Sequence, residues 1–104
     1  MAFKIIWSEL ARADLESIVL FIAHDEPSVA ESFGYLLISK MEILAQFPRL
    51  GRVVSKENDE TIREIVFRPY RIIYRVLTER HIIAIAQIWQ GARGEPELSR
   101  PLDF

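Results

Sequence analysis

The sequence contains no cysteine, and this absence removes several classes of protein at once. Without thiols there is no disulfide framework, no thiolate nucleophile and no thiolate metal site. The two histidines, His24 and His81, stand far apart and lack the spacing of a metal-ligand pair. We therefore expect neither a bound metal nor any other cofactor.

Long apolar runs are also missing. The longest nearly uncharged run covers residues 82–92, which is far short of the roughly 20 residues that a membrane helix needs. The apolar run at residues 3–7 is too brief for a secretory signal. These features predict a protein that has no contact with membranes and is located in the cytoplasm.

Positive charge is not in excess, because 13 basic residues stand against 15 acidic ones and the net charge is −2, but it is unevenly distributed. Residues 1–48 carry three basic and seven acidic side chains, whereas residues 49–80 carry eight basic and five acidic ones. A protein that binds nucleic acid normally shows a clear basic excess, since it must neutralise phosphates. Direct binding to nucleic acid is therefore disfavoured, although a local basic patch in the second half is allowed.

Half of the 104 residues are apolar, which is a large share for a chain of this length. A small domain has much surface relative to its volume and can hide only part of that apolar area. Some of it is expected to be covered by a partner chain. We interpret residues 1–104 as one domain with an irregular tail from about residue 91, where glycine and proline recur.

The N-terminal residues predict a strand followed by a helix. Residues 3–7 are mostly apolar, which is typical of a strand inside a sheet. Ser8 is a good N-cap for a helix over about residues 9–23, where apolar residues recur at spacings of three and four. We interpret this apolar stripe as core packing.

A second helix follows after a short break. Pro27 cannot continue the first helix but suits the first turn of another, which is expected to end near residue 46. Two alternatives are left open for its N-terminal cap: a capping box of Ser28 with Glu31, or a cap by Asp25 or Glu26. Its apolar stripe, also assigned to the core, comprises Val29, Phe33, Leu36, Leu37, Lys40, Met41 and Leu44.

From Thr61 the hydrophobic period changes to two, which indicates strands. Short links, one at Arg68–Pro69, demand antiparallel hairpins. The last strand is apolar on both faces, so we expect it to be central, with the helices covering one face of the sheet. The predicted fold is α+β: an N-terminal strand, an antiparallel helical hairpin, then an antiparallel β-meander of three to four strands. Its predicted strands cover residues 61–67, 70–77 and 81–89, with a brief one between 52 and 55.

The segment RPYRIIYRV, residues 68–76, is unusually basic for a half-apolar strand. Alternation places Tyr70 and Tyr74 on one face and Arg71 and Arg75 on the other. Each arginine on its own fits a solvated position or an ion pair, for instance with Glu64 or Glu79. A cluster of arginines instead favours a shared anion, because neighbouring guanidinium groups repel one another. The predicted patch consists of Arg63, Arg71, Arg75 and Arg93, with Tyr70, Tyr74 and Trp89 as aromatics of either the core or a binding groove.

Four segments together resemble a known family. They are the DL-x-x-I pattern in the first helix, the P-x-x-GR turn, the RE-x-x-x-x-x-YRI-x-Y hairpin and the G-A-R ending after the last strand. In this order they resemble the RelE/ParE toxins of bacterial type II toxin–antitoxin systems, over about residues 3 to 93. The chain is more similar to the ParE (plasmid stabilisation) branch than to RelE.

The resemblance implies a small cytoplasmic toxin that is produced together with an antitoxin. RelE-like members cut messenger RNA in the ribosome, whereas ParE-like members inhibit DNA gyrase without nuclease chemistry. The implied partners are a cognate, ParD-like antitoxin with an acidic C-terminal segment and DNA gyrase. The resemblance also implies the RelE/ParE-like fold.

The residues at the catalytic positions of the nuclease branch distinguish these activities. Arg71 and Arg93 match its cations, but Ile62 and Glu64 stand where it has strand lysines. Gln90 replaces the histidine that often precedes the G-A-R motif, and the tail has no tyrosine. The groups that would transfer protons are therefore absent.

We accordingly expect a ParE-like toxin that binds and inhibits DNA gyrase, is neutralised by its antitoxin and is not an enzyme. The arginine patch is the expected contact for the antitoxin or the target. Two alternatives are left open: a ribosome-dependent mRNA endoribonuclease, and a non-toxic relative that still binds an antitoxin.

Overall fold

A computed structural model describes residues 2–54 and 59–90 of the chain. Its sheet has five strands in the order β1-β5-β4-β3-β2, with β1 parallel to β5 and the other pairs antiparallel. The predicted α+β fold is confirmed. The elements are β1 (Lys4–Trp7), α1 (Glu9–Asp25), α2 (Pro27–Glu42), a 3-10 turn (Ile43–Ala45), β2 (Arg52–Val53), β3 (Ile62–Phe67), β4 (Tyr70–Leu77), a second 3-10 turn (Thr78–Arg80) and β5 (Ile82–Gln90).

The prediction that the first strand lies inside the sheet is wrong. Among the described strands, β1 lies at the edge of the sheet and pairs with β5 alone. Its apolar residues are needed nevertheless, because Phe3, Ile5 and Trp7 pack against the core. The helical hairpin carries the chain from β1 to β2 at the opposite edge of the sheet, and the meander returns from there to place β5 parallel to β1.

Helix α1 begins as predicted. The Ser8 hydroxyl accepts a hydrogen bond from the backbone N–H of Ala11 at 3.0 Å and thereby caps the first turn. The helix continues to Asp25, two residues beyond the predicted end. Among the residues that the structure describes, no helix is long and apolar enough to cross a membrane.

Helix α2 begins at Pro27, and its cap residue is Glu26, which makes no side-chain capping bond. The alternative of a Ser28–Glu31 capping box is therefore wrong: Pro27 takes the first helical position, so Ser28 lies within the helix. The α-helix ends at Glu42 rather than near residue 46, because the chain tightens there into the 3-10 turn.

Strand β5 lies between β1 and β4, as its apolar character predicts. Its side-chain alternation is interrupted by a bulge: Ile73 pairs with Gln87 but Tyr74 pairs with Ile85, so that Ala86 is an extra residue. As a result Ile85 and Ile88, three residues apart, both join the core cluster beneath the helices.

Beyond the end of β1, two side chains of the helical segment bind the open edge of β5. The Ser8 hydroxyl donates to the carbonyl of Ala86 at 2.7 Å, and an Asp14 carboxylate oxygen accepts from the N–H of Ile88 at 2.9 Å. These bonds fasten the start of α1 to β5. The predicted irregular tail from about residue 91 lies outside the described residues.

Candidate functional site

The register between β3 and β4 separates the predicted arginine patch. Arg63 lies opposite Tyr74, whose side chain belongs to the core under the helices. Arg71 and Arg75 alternate with Tyr74 and therefore face the other side of the sheet. The structure thus brings Arg71 and Arg75 to one face and Arg63 to the opposite one. Arg93 lies outside the described residues.

Arg71 is held by a buried carboxylate. Glu64 on β3 is only 2% exposed, and its two oxygens accept from Nε and Nη2 of Arg71 at 2.8 Å each. Arg52 also donates from Nε to this carboxylate at 3.2 Å, and its Nη2 lies 3.1 Å from the same oxygen, with most of the Arg52 side chain in solvent. The ion-pair alternative for Arg71 is therefore confirmed, and the partner is Glu64. Its planar fork matches the carboxylate, which is the strongest arrangement for such a pair.

At the two positions where the nuclease branch has strand lysines, this chain has different residues, and both side chains are buried. Ile62 is buried in a cluster with Val54 and Ile73, and Glu64 is buried next to it on the same face.

Both histidines are exposed, and the ring of His81 lies against Phe3 with 5.0 Å between centroids. Within residues 2–54 and 59–90, no group of three or more histidine, aspartate or glutamate side chains could hold a metal ion.

Arg63 and Tyr74 together hold the turn that precedes β2. The Tyr74 hydroxyl donates to the carbonyl of Pro48 and accepts from the N–H of Gly51, both at 2.9 Å. Arg63 donates from Nη1 to the carbonyl of Gly51 at 2.9 Å and from Nε to that of Glu60 at 3.0 Å. Three of these four bonds involve backbone groups of Pro48 or Gly51, which belong to the P-x-x-GR motif. The motif therefore forms the turn that Arg63 and Tyr74 hold in place.

The aromatic residues singled out from the sequence differ in exposure and surroundings. Tyr70 and Tyr74 are buried in the main core, and the ring of Tyr70 lies 5.5 Å from that of Phe33. The structure thus favours the core alternative for both tyrosines. Trp89, also largely buried, lies opposite Arg71 in the register of β4 and β5.

Helix α2 and the 3-10 turn after it carry a second apolar stripe, which the sequence pattern did not separate from the core. Val29, Leu36 and Ile43 recur every seven residues and are each 43 to 51% exposed. The assignment to the core is wrong for Val29, Leu36 and Lys40, which are exposed. The buried residues of α2 are Ala30, Leu37 and Met41. The seven-residue spacing was the signal that could have distinguished the two stripes.

Near the end of this outer stripe, a cavity of about 380 Å³ opens between α2 and the edge of β3. Its apolar lining comes from Ile43, Leu50 and the β3 segment 65–67. Two cations, Lys40 and Arg52, also line it, together with the Glu64 carboxylate that is paired with Arg52. Such a site suits an apolar side chain with a carboxylate close by.

We expect Tyr74→Phe to lower the free energy of unfolding by about 1–3 kcal/mol, because it leaves the Gly51 N–H and the Pro48 carbonyl without their partner. Urea denaturation measures this loss. The matched control is Tyr35→Phe, which removes a hydroxyl from an exposed side chain on α2 and is expected to change stability by less than about 0.5 kcal/mol. Equal effects of the two changes would contradict the role of Tyr74.

The same variant has a pH signature. Burial raises the pKa of the Tyr74 and Tyr70 hydroxyls above their ordinary value of 10. The folded state therefore favours the protonated hydroxyl. The contribution of each hydroxyl to the free energy of unfolding is fully present below pH 10 and is lost as the pH rises through the raised pKa. Tyr74→Phe removes one of these two groups, and its stability is expected to fall less steeply above about pH 10 than that of the wild type.

Comparisons with known proteins agree with this fold and its motifs. Residues 5–94 match the family described as "ParE toxin of type II toxin-antitoxin system, parDE". Toxin RelE2 of Caulobacter vibrioides is 29% identical over 90 residues, which are 86% of this chain and 97% of the relative. Toxin RelE1 of the same organism is 26% identical over 91 residues, covering 88% and 96%.

Solved structures show the same fold. The chromosomal ParDE toxin–antitoxin system from P. aeruginosa matches with a TM-score of 0.70 at 20% identity, covering 86% of this chain and 96% of that one. The RelBE2 toxin–antitoxin complex from Mycobacterium tuberculosis matches with a TM-score of 0.59 at 16% identity, covering 86% and 99%. Since the family match extends over nearly the whole chain, this protein belongs to the ParE toxin family of type II toxin–antitoxin systems.

Proposed function

We propose that this toxin acts by binding and inhibiting DNA gyrase, and that it does not cleave RNA. The observation that carries the proposal is the buried Glu64 carboxylate, which engages both Arg71 and Arg52. Arg71 stands at a position where the nuclease branch has a catalytic cation, and here its charge is neutralised by Glu64. Gyrase as the target is supported by membership of the ParE family.

RNA cleavage at a 2′-hydroxyl needs a base, an acid and cations for the phosphorane. At the strand-lysine positions the chain has a buried isoleucine, Ile62, and a buried carboxylate, Glu64, already bound to Arg71. Arginine has a pKa above about 12 and is a poor proton-transfer group. The described part of this face therefore supports a binding protein better than a nuclease.

We further propose that a ParD-like antitoxin covers the outer stripe of α2 and the adjoining cavity. The exposed Val29, Leu36 and Ile43 form an apolar row on one side of the helical hairpin, and rows of this kind mark protein interaction sites. Lys40 and Arg52 at the cavity would attract an acidic segment. The solved ParDE and RelBE2 systems, which share this fold, are toxin–antitoxin systems.

A supercoiling assay with purified gyrase tests the proposed target. We expect the wild-type protein to inhibit supercoiling, and the neighbouring antitoxin gene product to relieve that inhibition. Primer extension on translated messages after induction is expected to show no new cuts. Codon-associated cuts without gyrase inhibition would instead establish the endoribonuclease, and unimpaired growth with a folded product would establish a non-toxic relative.

A further inference from the structure

The sheet has two faces, and the helices cover one of them. Ala11 of α1 and Leu37 of α2 belong to the same buried cluster as Tyr74 of β4. Ile73 precedes Tyr74 and therefore points to the other side, here called the second face, together with Gln87, its partner on β5. Among the described elements, no helix contributes to the buried cluster of the second face, which consists of Val54, Ile62, Ile73 and Ala86.

The second face is buried nevertheless. Ile73 and Gln87, on two interior strands, are each 0% exposed, and Ile62 and Glu64 of β3 are nearly as inaccessible. These exposed fractions are those of the chain by itself. A sheet hides the side chains of one face only when another layer packs on that face. The described helices lie on the opposite side and do not supply this layer.

The chain has two segments of more than one residue outside the described ranges. Residues 55–58 fall between β2 and β3, and β3 lies about 10 Å, or two strand spacings, from Gln87 on β5. Residues 91–104, here called the C-terminal segment, follow β5 directly. Fully extended, these fourteen residues reach about 46 Å, whereas the five strands together are about 19 Å across. The C-terminal segment therefore begins close to Gln87 and is long enough to cross the whole sheet.

The second face also carries polar atoms that need a partner. Nε2 and Oε1 of Gln87 and Nε of Arg75 are buried and have no hydrogen-bond partner among the described residues. A carboxamide is satisfied by one acceptor and one donor, and an extended backbone offers both. The C-terminal segment contains Leu98 and Leu102, whose side chains suit an apolar surface such as that of Ile73. Its composition thus matches both the apolar and the polar part of this face.

We propose that the C-terminal segment folds back across the second face, packs on Ile73 and pairs its backbone with the Gln87 carboxamide. Gly91 and Gly94 permit the reversal of direction that this path needs, because glycine adopts turn conformations that other residues avoid. The segment then covers the face on which the strand-lysine positions of the nuclease branch lie. This protein closes that face with its own chain, and the inference does not depend on gyrase as the target.

The test uses the full chain with a single nitroxide spin label. Because the sequence has no cysteine, Ser99→Cys gives one labelling site within the C-terminal segment. This label is expected to remove most of the intensity of the Ile73 and Gln87 amide signals in NMR spectra, relative to the reduced, diamagnetic sample. The matched control is Ser32→Cys, at an exposed position on α2, whose label is expected to leave both signals nearly unchanged. Unchanged signals with the label at residue 99 would overturn the proposal. Signal loss caused by labelled molecules in a mixture with isotope-labelled, unlabelled-spin protein would assign the layer to a second copy, and signal loss only after antitoxin is added would assign it to the complex; either result also overturns it.

A second measurement asks whether the apolar side chains of the segment hold it in place. Leu98→Asp is expected to release the segment, to raise the binding of the dye anilinonaphthalene sulfonate severalfold and to shift Trp89 emission to longer wavelength, because Trp89 lies on the second face opposite Arg71. Ser99→Asp adds the same charge without removing an apolar side chain and is expected to change neither signal. Far-UV circular dichroism verifies that both variants keep the helices and strands. Equal responses of the two variants would contradict the proposal.

Discussion

Replacing Glu64 with glutamine is expected to lower the free energy of unfolding by about 3–5 kcal/mol. The change leaves the largely buried guanidinium of Arg71 without its counter-charge. Arg52 is less affected, because 70% of its side chain is in solvent and water replaces the lost carboxylate. Urea denaturation at neutral pH measures the difference.

The matched control is Glu79→Gln, which makes the same chemical change at an exposed residue in the second 3-10 turn. It is expected to alter stability by less than about 0.5 kcal/mol. A loss below about 1 kcal/mol for Glu64→Gln would mean that Arg71 remains solvated without its partner. A double variant, Glu64→Leu with Arg71→Met, removes both charges and is expected to recover most of the stability.

Gly51→Ala and Gly34→Ala are expected to change stability in opposite directions. At Gly51 an added Cβ would lie 2.5 Å from a backbone oxygen and 2.6 Å from the Tyr74 hydroxyl, so the turn must shift. We expect a loss of about 1–3 kcal/mol from this overpacking. At Gly34, on α2, the nearest atom is Cγ2 of Val19 at 3.5 Å, an ordinary contact.

Gly34→Ala is accordingly expected to stabilise the protein by about 0.5–1 kcal/mol, because alanine loses less backbone freedom in a helix. Thermal or urea unfolding of the two single variants compares them directly. A destabilised Gly34→Ala would show that α1 and α2 pack too closely there to accept a methyl group. An unchanged Gly51→Ala would contradict the tight approach of the turn to β3.

Local sequence patterns predicted the helices and strands of this fold. The features that they did not predict depend on pairing between segments that are distant in the sequence. The cap at Ser8, the start of α2 and strands β3 to β5 follow from spacing and composition. The edge position of β1 does not follow from its sequence, because an apolar strand has the same pattern whether it has one neighbouring strand or two. The bulge at Ala86 was equally hidden, since an all-apolar strand gives no sign of a skipped residue.

The candidate site was predictable in its residues but not in its geometry. Alternation correctly placed Arg71 and Arg75 together, while the position of Arg63 depended on how many residues the turn at Arg68–Pro69 contains. From the sequence, Glu64 was identified both as an unsuitable charge for RNA cleavage and, with Glu79, as an example of an ion-pair partner for an arginine. Its role as the counter-ion of Arg71 depends on burial, which the sequence around it does not reveal.

The parallel pairing of β1 with β5 has a consequence for how the toxin is made. Of the described strands, β1 leaves the ribosome before the others and lies beside β5, which leaves after them, and Ser8 bonds to a residue 78 positions later. Contacts at such separation slow folding, since the intervening chain must be ordered first. The sheet can be completed only after β5 has been synthesised, so incomplete chains lack the neighbour of both β1 and β4. The synthesis of β5 therefore sets the earliest moment at which the described sheet can form in full.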